Sequence, residues 1–379
     1  MRVVFFCHSL LSDWNHGNAH FLRGIVTELA ERGAAVQVYE PQNAWSMENL
    51  LAERGGEESL EALRLVYPRC RSRRYTLETL DLGAVLDGAD LVIVHEWTEP
   101  ELVHRLGQAR ARGGRFKLLF HDTHHRAITA PHEMARYDLT HYDGVLAHGE
   151  VLRRLYLERG WTRRAWTWHE AADVRVFHPE PGEEQEQELL WVGNWGEDER
   201  ASELHEFLLG PVKRLGLKAR VHGVRYPQEA KTALAEAGIS YGGWLPNHEV
   251  PRAFARALMT VHVPHRPHAA ALPGIPTLRP FEALACGIPL VCSPWEDAEH
   301  LFTPGLDFLM ARDGAQMERH LAALREDAGL RQALAEHGRM TILARHTCAH
   351  RVEELLGFCR ELGVETDSLG AVAQERVFA

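Results

Sequence analysis

The sequence predicts an α/β protein built as two doubly wound domains that face each other across a cleft, and three observations carry that prediction. The chain has 379 residues, too many for one ordinary core and right for two domains of about 100–200 residues each. Short apolar strands alternate with helical segments, which implies parallel sheets with helices on both faces. The alternation is interrupted once, by the acidic, Pro/Gly-containing run 180–188, and then restarts.

In order, the first strand is 3–7, followed by a polar loop from His8 to Asn18, a helix 19–32 stopped by Gly33, and a second strand 35–39. Further strands are predicted at 89–95, 116–121, 144–148 and 164–169. The run 180–188 has no apolar periodicity and reads as a linker. Beyond it come strand 189–192, helix 202–215, strand 219–222, helix 227–237, strand 239–241, helix 250–257, strand 258–263, helix 278–286 and strand 289–292. A helix-rich end follows, in which Val352, Leu355, Leu356 and Cys359 recur at helical spacing. The domains are accordingly placed at 1–182 and 183–362, with 363–379 as a tail. Ligands of such sheets sit beyond the carboxyl ends of the strands.

Composition narrows the function classes. Hydrophobic residues make up 45% and charged residues 25%, which excludes a disordered or fibrous chain. The formal charge of −11 argues against a nucleic-acid partner. Six Cys without CxxC pairs fit reduced thiols and a cytoplasmic location. No apolar run approaches the ~18 residues of a membrane span, and the opening run is too short for a signal h-region. Peripheral membrane contact stays open.

The most informative stretch is 273–291, a Pro/Gly-rich loop, a short helix with a carboxylate in its first turns, a Gly stop and a buried strand. A helix start offers unpaired amides and partial positive charge for a diphosphate, and a carboxylate one turn further in can accept hydrogen bonds from a ribose diol. On this loop alone, a structural Glu near a helix start is an equal alternative.

The run Glu282-Ala283-Leu284-Ala285-Cys286-Gly287-Ile288-Pro289 resembles the nucleotide-sugar signature of GT-B glycosyltransferases, whose architecture is two Rossmann-like domains. With Arg279-Pro280-Phe281 before it, the stretch is most similar to the spore-maturation (CgeB-like) branch. The resemblance covers about 190–356. It implies that Glu282 binds the ribose and that the amides of Gly274, Ile275 and Thr277, Pro276 having none, approach the diphosphate. Many retaining members carry another Glu eight positions earlier, where this chain has Gly274, so stereochemistry stays undecided. Gly193 and Asn194 resemble the first Gly-rich loop of the donor domain. Trp244 and Leu245 resemble the segment flanking the base, although one Trp is as readily core. Arg279, Arg266 and Arg225 are the candidate diphosphate cations in place of a metal.

In the first domain the resemblance assigns the loop 13–20 to acceptor and sugar-phosphate contacts, with Gly17 and Asn18 at the helix start. His16 or Asp13 is the candidate base of an inverting reaction. His121 is the candidate donor-sugar contact of a retaining one. No metal and no cofactor are expected, the nucleotide sugar being a co-substrate. His124, His125, His262, His265 and His268 are left without roles. Glu96 reads as a strand terminator, and the basic run 69–74 as a solvated loop or an attractor of an anionic acceptor or lipid headgroup. The expected activity is hexosyl transfer to a hydroxyl of a glycan, protein or small molecule. The rivals are a nucleotide-sugar epimerase and a binding module without turnover.

Overall fold

The computed structural model describes residues 1–370. It contains two compact units, one of Met1–Ser12, Asn18–His169 and the chain from Cys348 onward, the other of Asp13–Gly17 and Glu170–Thr347.

The first unit is built on a seven-stranded sheet of β1 (Arg2–Phe6), β2 (Ala35–Pro41), β3 (Ser72–Tyr75), β4 (Leu91–His95), β5 (Lys117–Asp122), β6 (Gly144–Ala147) and β7 (Ala165–Thr167). Their order is β3-β2-β1-β4-β5-β6-β7, with every pairing parallel. β4 is buried along its whole length, as a strand covered on both faces must be. Among the helices of this unit are α1 (Ala19–Glu31), α2 (Trp45–Ala52) and α3 (Gly56–Val66). α1 buries every residue from Ala19 to Leu29 and packs against the last helix, Cys348–Glu361. The Trp168 indole donates to the Arg351 carbonyl at 2.8 Å, and Arg32 pairs with Glu28 at 2.8 Å and with Glu353. The last helix is therefore part of the first unit, although it follows the second in sequence.

The second unit holds β8 (Gln187–Val192), β9 (Ala219–His222), β10 (Ile239–Tyr241), β11 (Ala257–His262), β12 (Leu290–Cys292) and β13 (Leu309–Met310), in the parallel order β10-β9-β8-β11-β12-β13. Alternate residues of each strand feed opposite cores. Leu189, Trp191, Val221, Met259, Val261 and Val291 pack on one face. Leu190, Leu290 and Cys292 join Phe254, Phe281 and Leu284 on the other.

Two strands escape the sequence pattern. β3 reads Ser-Arg-Arg-Tyr and has no apolar run because it is an edge strand with both arginines exposed. β13 is only two residues long. The acidic run 180–188 lies inside the second unit. Gln187 and Glu188 open β8, and Glu183 and Glu186 are held by Arg252 and Arg256 at 2.7–2.9 Å. The predicted helix 202–215 is interrupted by a π turn at His205–Leu209, next to Pro211, which has no N–H to continue the α register. All six cysteines are buried and none forms a disulfide among the described residues, and no helix among the described residues is long and apolar enough to cross a membrane. In the expected tail, Thr366 is buried and accepts from Arg360 at 3.2 Å. Residues 371–379 lie outside the described residues.

The helix Leu278–Ala285 is pinned by the helix Ala328–Arg345. A Cβ on Gly338 would lie 2.7 Å from Leu284 Cδ2 and 2.9 Å from the Asp307 carbonyl. Gly338→Ala should therefore destabilise the protein by about 1 kcal/mol, overpacking of about 2 kcal/mol outweighing the gain of about 1 kcal/mol in helix propensity. Thermal denaturation checks this, and an unchanged or raised midpoint would contradict it.

Candidate functional site

In each sheet the strand order reverses beside the first strand, between β1 and β4 and between β8 and β11. Loops leaving the carboxyl ends there diverge and open a crevice. In the second unit this gathers the loops after β8 and β11 near the helix Leu278–Ala285.

Glu282 is only 1% exposed. One of its carboxylate oxygens accepts from the Asn247 amide at 2.8 Å, and the other pairs with Arg279, one turn earlier. The Asn247 side-chain oxygen is buried without a partner, and its N–H reaches Asp13 at 3.4 Å. Thr277 stands at the helix N-cap in an extended conformation without capping it, because its hydroxyl is 2.9 Å from His262 Nε2. The N–H groups of Leu278 and Arg279 are left without an intrahelical acceptor.

The loop before the helix differs from expectation. Gly274 N–H donates to the Glu296 carbonyl at 2.6 Å and Ile275 N–H to the Leu272 carbonyl at 3.1 Å. These two amides are closed off by the loop's own turns. With Pro276 lacking an N–H, the donors move to Thr277 and the helix start. Gly274 has φ +89°, and a Cβ there would lie 2.7 Å from Glu299 Cγ. A half-buried carboxylate side chain thus lies over the position where the motif lacks one.

The expected cations are mostly engaged elsewhere. Arg279 is paired with Glu282. Arg266 is exposed and held by Glu203 and Ser202, each at 2.8 Å. Arg225 is exposed in a left-handed turn, φ +58°. The buried cation is Arg200, which sequence reading passed over within Glu-Asp-Glu-Arg. Its guanidinium donates to the Val263 carbonyl at 3.2 Å and to the Asn194 carbonyl, and lies 5.2 Å from the Trp191 ring. It holds no ion pair among the described residues, and its Nε has no partner. Burial pulls its pKa down to about 10. Burial, then the positive fields of Arg200 and Arg279, lower that of His262 to about 3, so these groups lie together.

Asn194 ties the loops. Its carbonyl side accepts from Val224 N–H at 3.0 Å and its amide donates to Asn15. Gly193 N–H donates to the His222 carbonyl at 2.8 Å, and Tyr226 donates to the Gly193 carbonyl at 2.8 Å. A Cβ on Gly223 would fall 2.0 Å from that same carbonyl oxygen, so only glycine fits opposite Gly193. Trp244 and Leu245 are half-buried, Leu245 leaning on the Phe281 core. His265 pairs with Glu199 at 3.1 Å.

In the first unit His121 ends β5 fully buried, with neither ring nitrogen hydrogen-bonded among the described residues. Trp168 at 4.9 Å, His95 at 5.2 Å and Phe21 at 5.9 Å surround the ring, and burial lowers its pKa to about 3. Beside it Asp122 is raised, by burial first and then by the charge of Glu96. Glu96 is a buried anchor, accepting from Thr123 N–H at 3.0 Å, Thr123 hydroxyl at 2.9 Å and Arg126 at 3.0 Å. At the start of α1, Gly17 is exposed and the Asn18 carbonyl accepts Leu22 N–H at 3.1 Å. His16 is buried, and its N–H donates to the Asp13 carbonyl at 3.0 Å.

Buried neutral imidazoles give a pH dependence. Below pH ~6.5 the unfolded chain takes up protons that folded His121 and His262 refuse, so stability falls from there down to their native values near 3. At pH 5 each should cost about 2 kcal/mol relative to pH 7. Urea midpoints at the two pH values check this, and His262→Gln should flatten the slope.

Residues 200–357 match the family model described as glycosyl transferase-like. None of the curated proteins compared with the sequence matches it. Among solved structures, sucrose-phosphate synthase from Thermosynechococcus elongatus superposes with TM-score 0.66 at 15% identity, over 96% of this chain and 99% of that one. A glycosyltransferase from Rickettsia africae gives TM-score 0.66 at 9% identity, over 96% and 99%. HepE of Anabaena in complex with UDP gives 0.64 at 12%, over 95% and 100%. The chain has the GT-B glycosyltransferase fold.

Proposed function

We propose that the protein is a GT-B hexosyltransferase of the CgeB-like branch, moving a sugar from a nucleotide-sugar donor to a hydroxyl acceptor without a metal. The observation that carries this is Arg200. A buried guanidinium that donates to two carbonyls, keeps an unbonded Nε and has no ion pair among the described residues, close to an open helix start, is half of an anion site. Glu282, positioned by Asn247, is the ribose acceptor. Arg200 and the amides from Thr277 onward take the diphosphate. Trp244 and Leu245 flank the base. HepE has been solved with UDP and with UDP-glucose, so uridine diphosphate sugars are the first donors to try.

Stereochemistry selects between two roles. In an inverting reaction His16 is the base, with Asp13 beside it. In a retaining one Glu299 supplies the carboxylate that Gly274 cannot, while His121, with both ring nitrogens buried, presents no N–H to a sugar hydroxyl in this conformation.

Incubation with a panel of nucleotide sugars, following nucleotide release with and without acceptors, tests the reading. Binding of no donor would overturn it, and conversion of a donor without acceptor would favour an epimerase.

Glu282→Gln should weaken nucleotide affinity at least tenfold, about 1.4 kcal/mol or more. Isothermal titration with UDP, GDP, ADP and TDP reads it, and an unchanged Kd would misplace the ribose site. Arg200→Met should raise the melting temperature of the free protein, since an uncompensated buried charge is removed. The same substitution should abolish most of the nucleotide-induced shift, which amounts to about 2.7 kcal/mol at a hundred times Kd. A lowered melting temperature with an undiminished nucleotide shift would show that Arg200 is structural.

A further inference from the structure

Residues 64–74 contain five arginines and no acidic residue, in a chain of formal charge −11. They run from the end of α3 through Arg69 and Arg71 into the edge strand β3. Arg64, Arg69, Arg71, Arg73 and Arg74 are all exposed, and none is hydrogen-bonded or ion-paired among the described residues. Some arginines elsewhere are ion-paired, as Arg256 is with Glu183 and Glu186, and Arg110 with Asp143; this run is set apart by carrying five arginines and no acid in eleven residues. Charged residues on an edge strand block strand pairing, which accounts for Arg73 and Arg74. It does not account for Leu65 at 84% exposure and Val66 at 40%, adjacent at the end of α3. On α2, which packs on α3, Trp45 at 39% and Leu51 at 43% are exposed too. The acids of α3 are Glu57 and Glu58 at its start and Glu61 one turn before Arg64 and Leu65, and buried Glu40 is in register with Arg74 and feels its charge.

We propose that the end of α3 and the edge strand β3 form a docking surface for an anionic lipid membrane, Leu65 and Val66 entering the interface and the five arginines lying among the headgroups. Aliphatic side chains beside guanidinium groups suit an interface that is apolar below and anionic above. The run 69–74 has no aromatic side chain on which a base could stack, whereas the exposed aliphatic Leu65 and Val66 match the apolar layer of a membrane and not a phosphate backbone. This surface lies outside the proposed donor site and is independent of that reading.

Co-sedimentation of the full chain is measured with vesicles of phosphatidylcholine alone and of phosphatidylcholine with phosphatidylglycerol at roughly 2:1, at about 0.1 M and about 0.5 M salt. Binding is expected to the anionic vesicles only, and to fall at the higher salt. Arg69→Ala/Arg71→Ala/Arg73→Ala should weaken it roughly 100-fold, at about fivefold per arginine, and Leu65→Ser several-fold. The Lys versions of the three arginines should retain most of it. All are exposed, so melting temperatures should match the parent. The proposal is overturned by equal binding to both vesicles, by no binding, by a triple variant that binds as well as the parent, or by tighter binding to duplex DNA than to anionic vesicles.

Discussion

The architecture of the candidate site in the second unit depends on where its buried charges find partners. Glu282 at 1% exposure would be costly alone, and Arg279 and Asn247 make it tolerable. That pairing removes Arg279 from the pool of free cations. Arg200 then remains as a buried guanidinium that donates to two carbonyl oxygens, with its Nε unbonded and no carboxylate ion-paired with it among the described residues. The helix Leu278–Ala285 must hold position for this to work, and Gly338 permits the close approach that fixes it.

The sheets set the stage for these side chains. Parallel strands bring every loop of one end to the same side, and the reversal between β8 and β11 leaves room there. Alternation along β8, β11 and β12 divides the apolar residues between two cores. Polar residues can then collect only where the strands end, which is where Asn194 and Val263 hold Arg200.

Much of the fold was legible because buried parallel strands are short apolar runs, and those at β1, β4, β5, β8, β9 and β11 stand out in the sequence. β3 was hidden because an edge strand needs no apolar face. Glu282 was visible through its motif. Asn247 and Arg200 were not, because each acquires meaning through a partner distant in sequence, Glu282 and Val263 respectively. Arg279 and Arg266 were visible as cations; the i,i+3 spacing of Arg279 and Glu282 on one helix encodes their pairing, whereas that of Arg266 with Glu203 follows from tertiary geometry. The Gly274 amide likewise looked available until the turn to Glu296 closed it.

An uncompensated buried cation matters most to a ligand whose charge grows during reaction. In the proposed transfer the bond to the diphosphate breaks and negative charge accumulates on the leaving oxygens. A charge already present and already desolvated needs no reorganisation to meet it, so Arg200 favours the transition state over the bound donor. His262 fits the same logic. Held neutral by burial and by Arg200 and Arg279, it adds no further charge to the site at neutral pH and keeps the Thr277 hydroxyl engaged. The helix start consequently stays uncapped, and its amides remain available to the same developing charge.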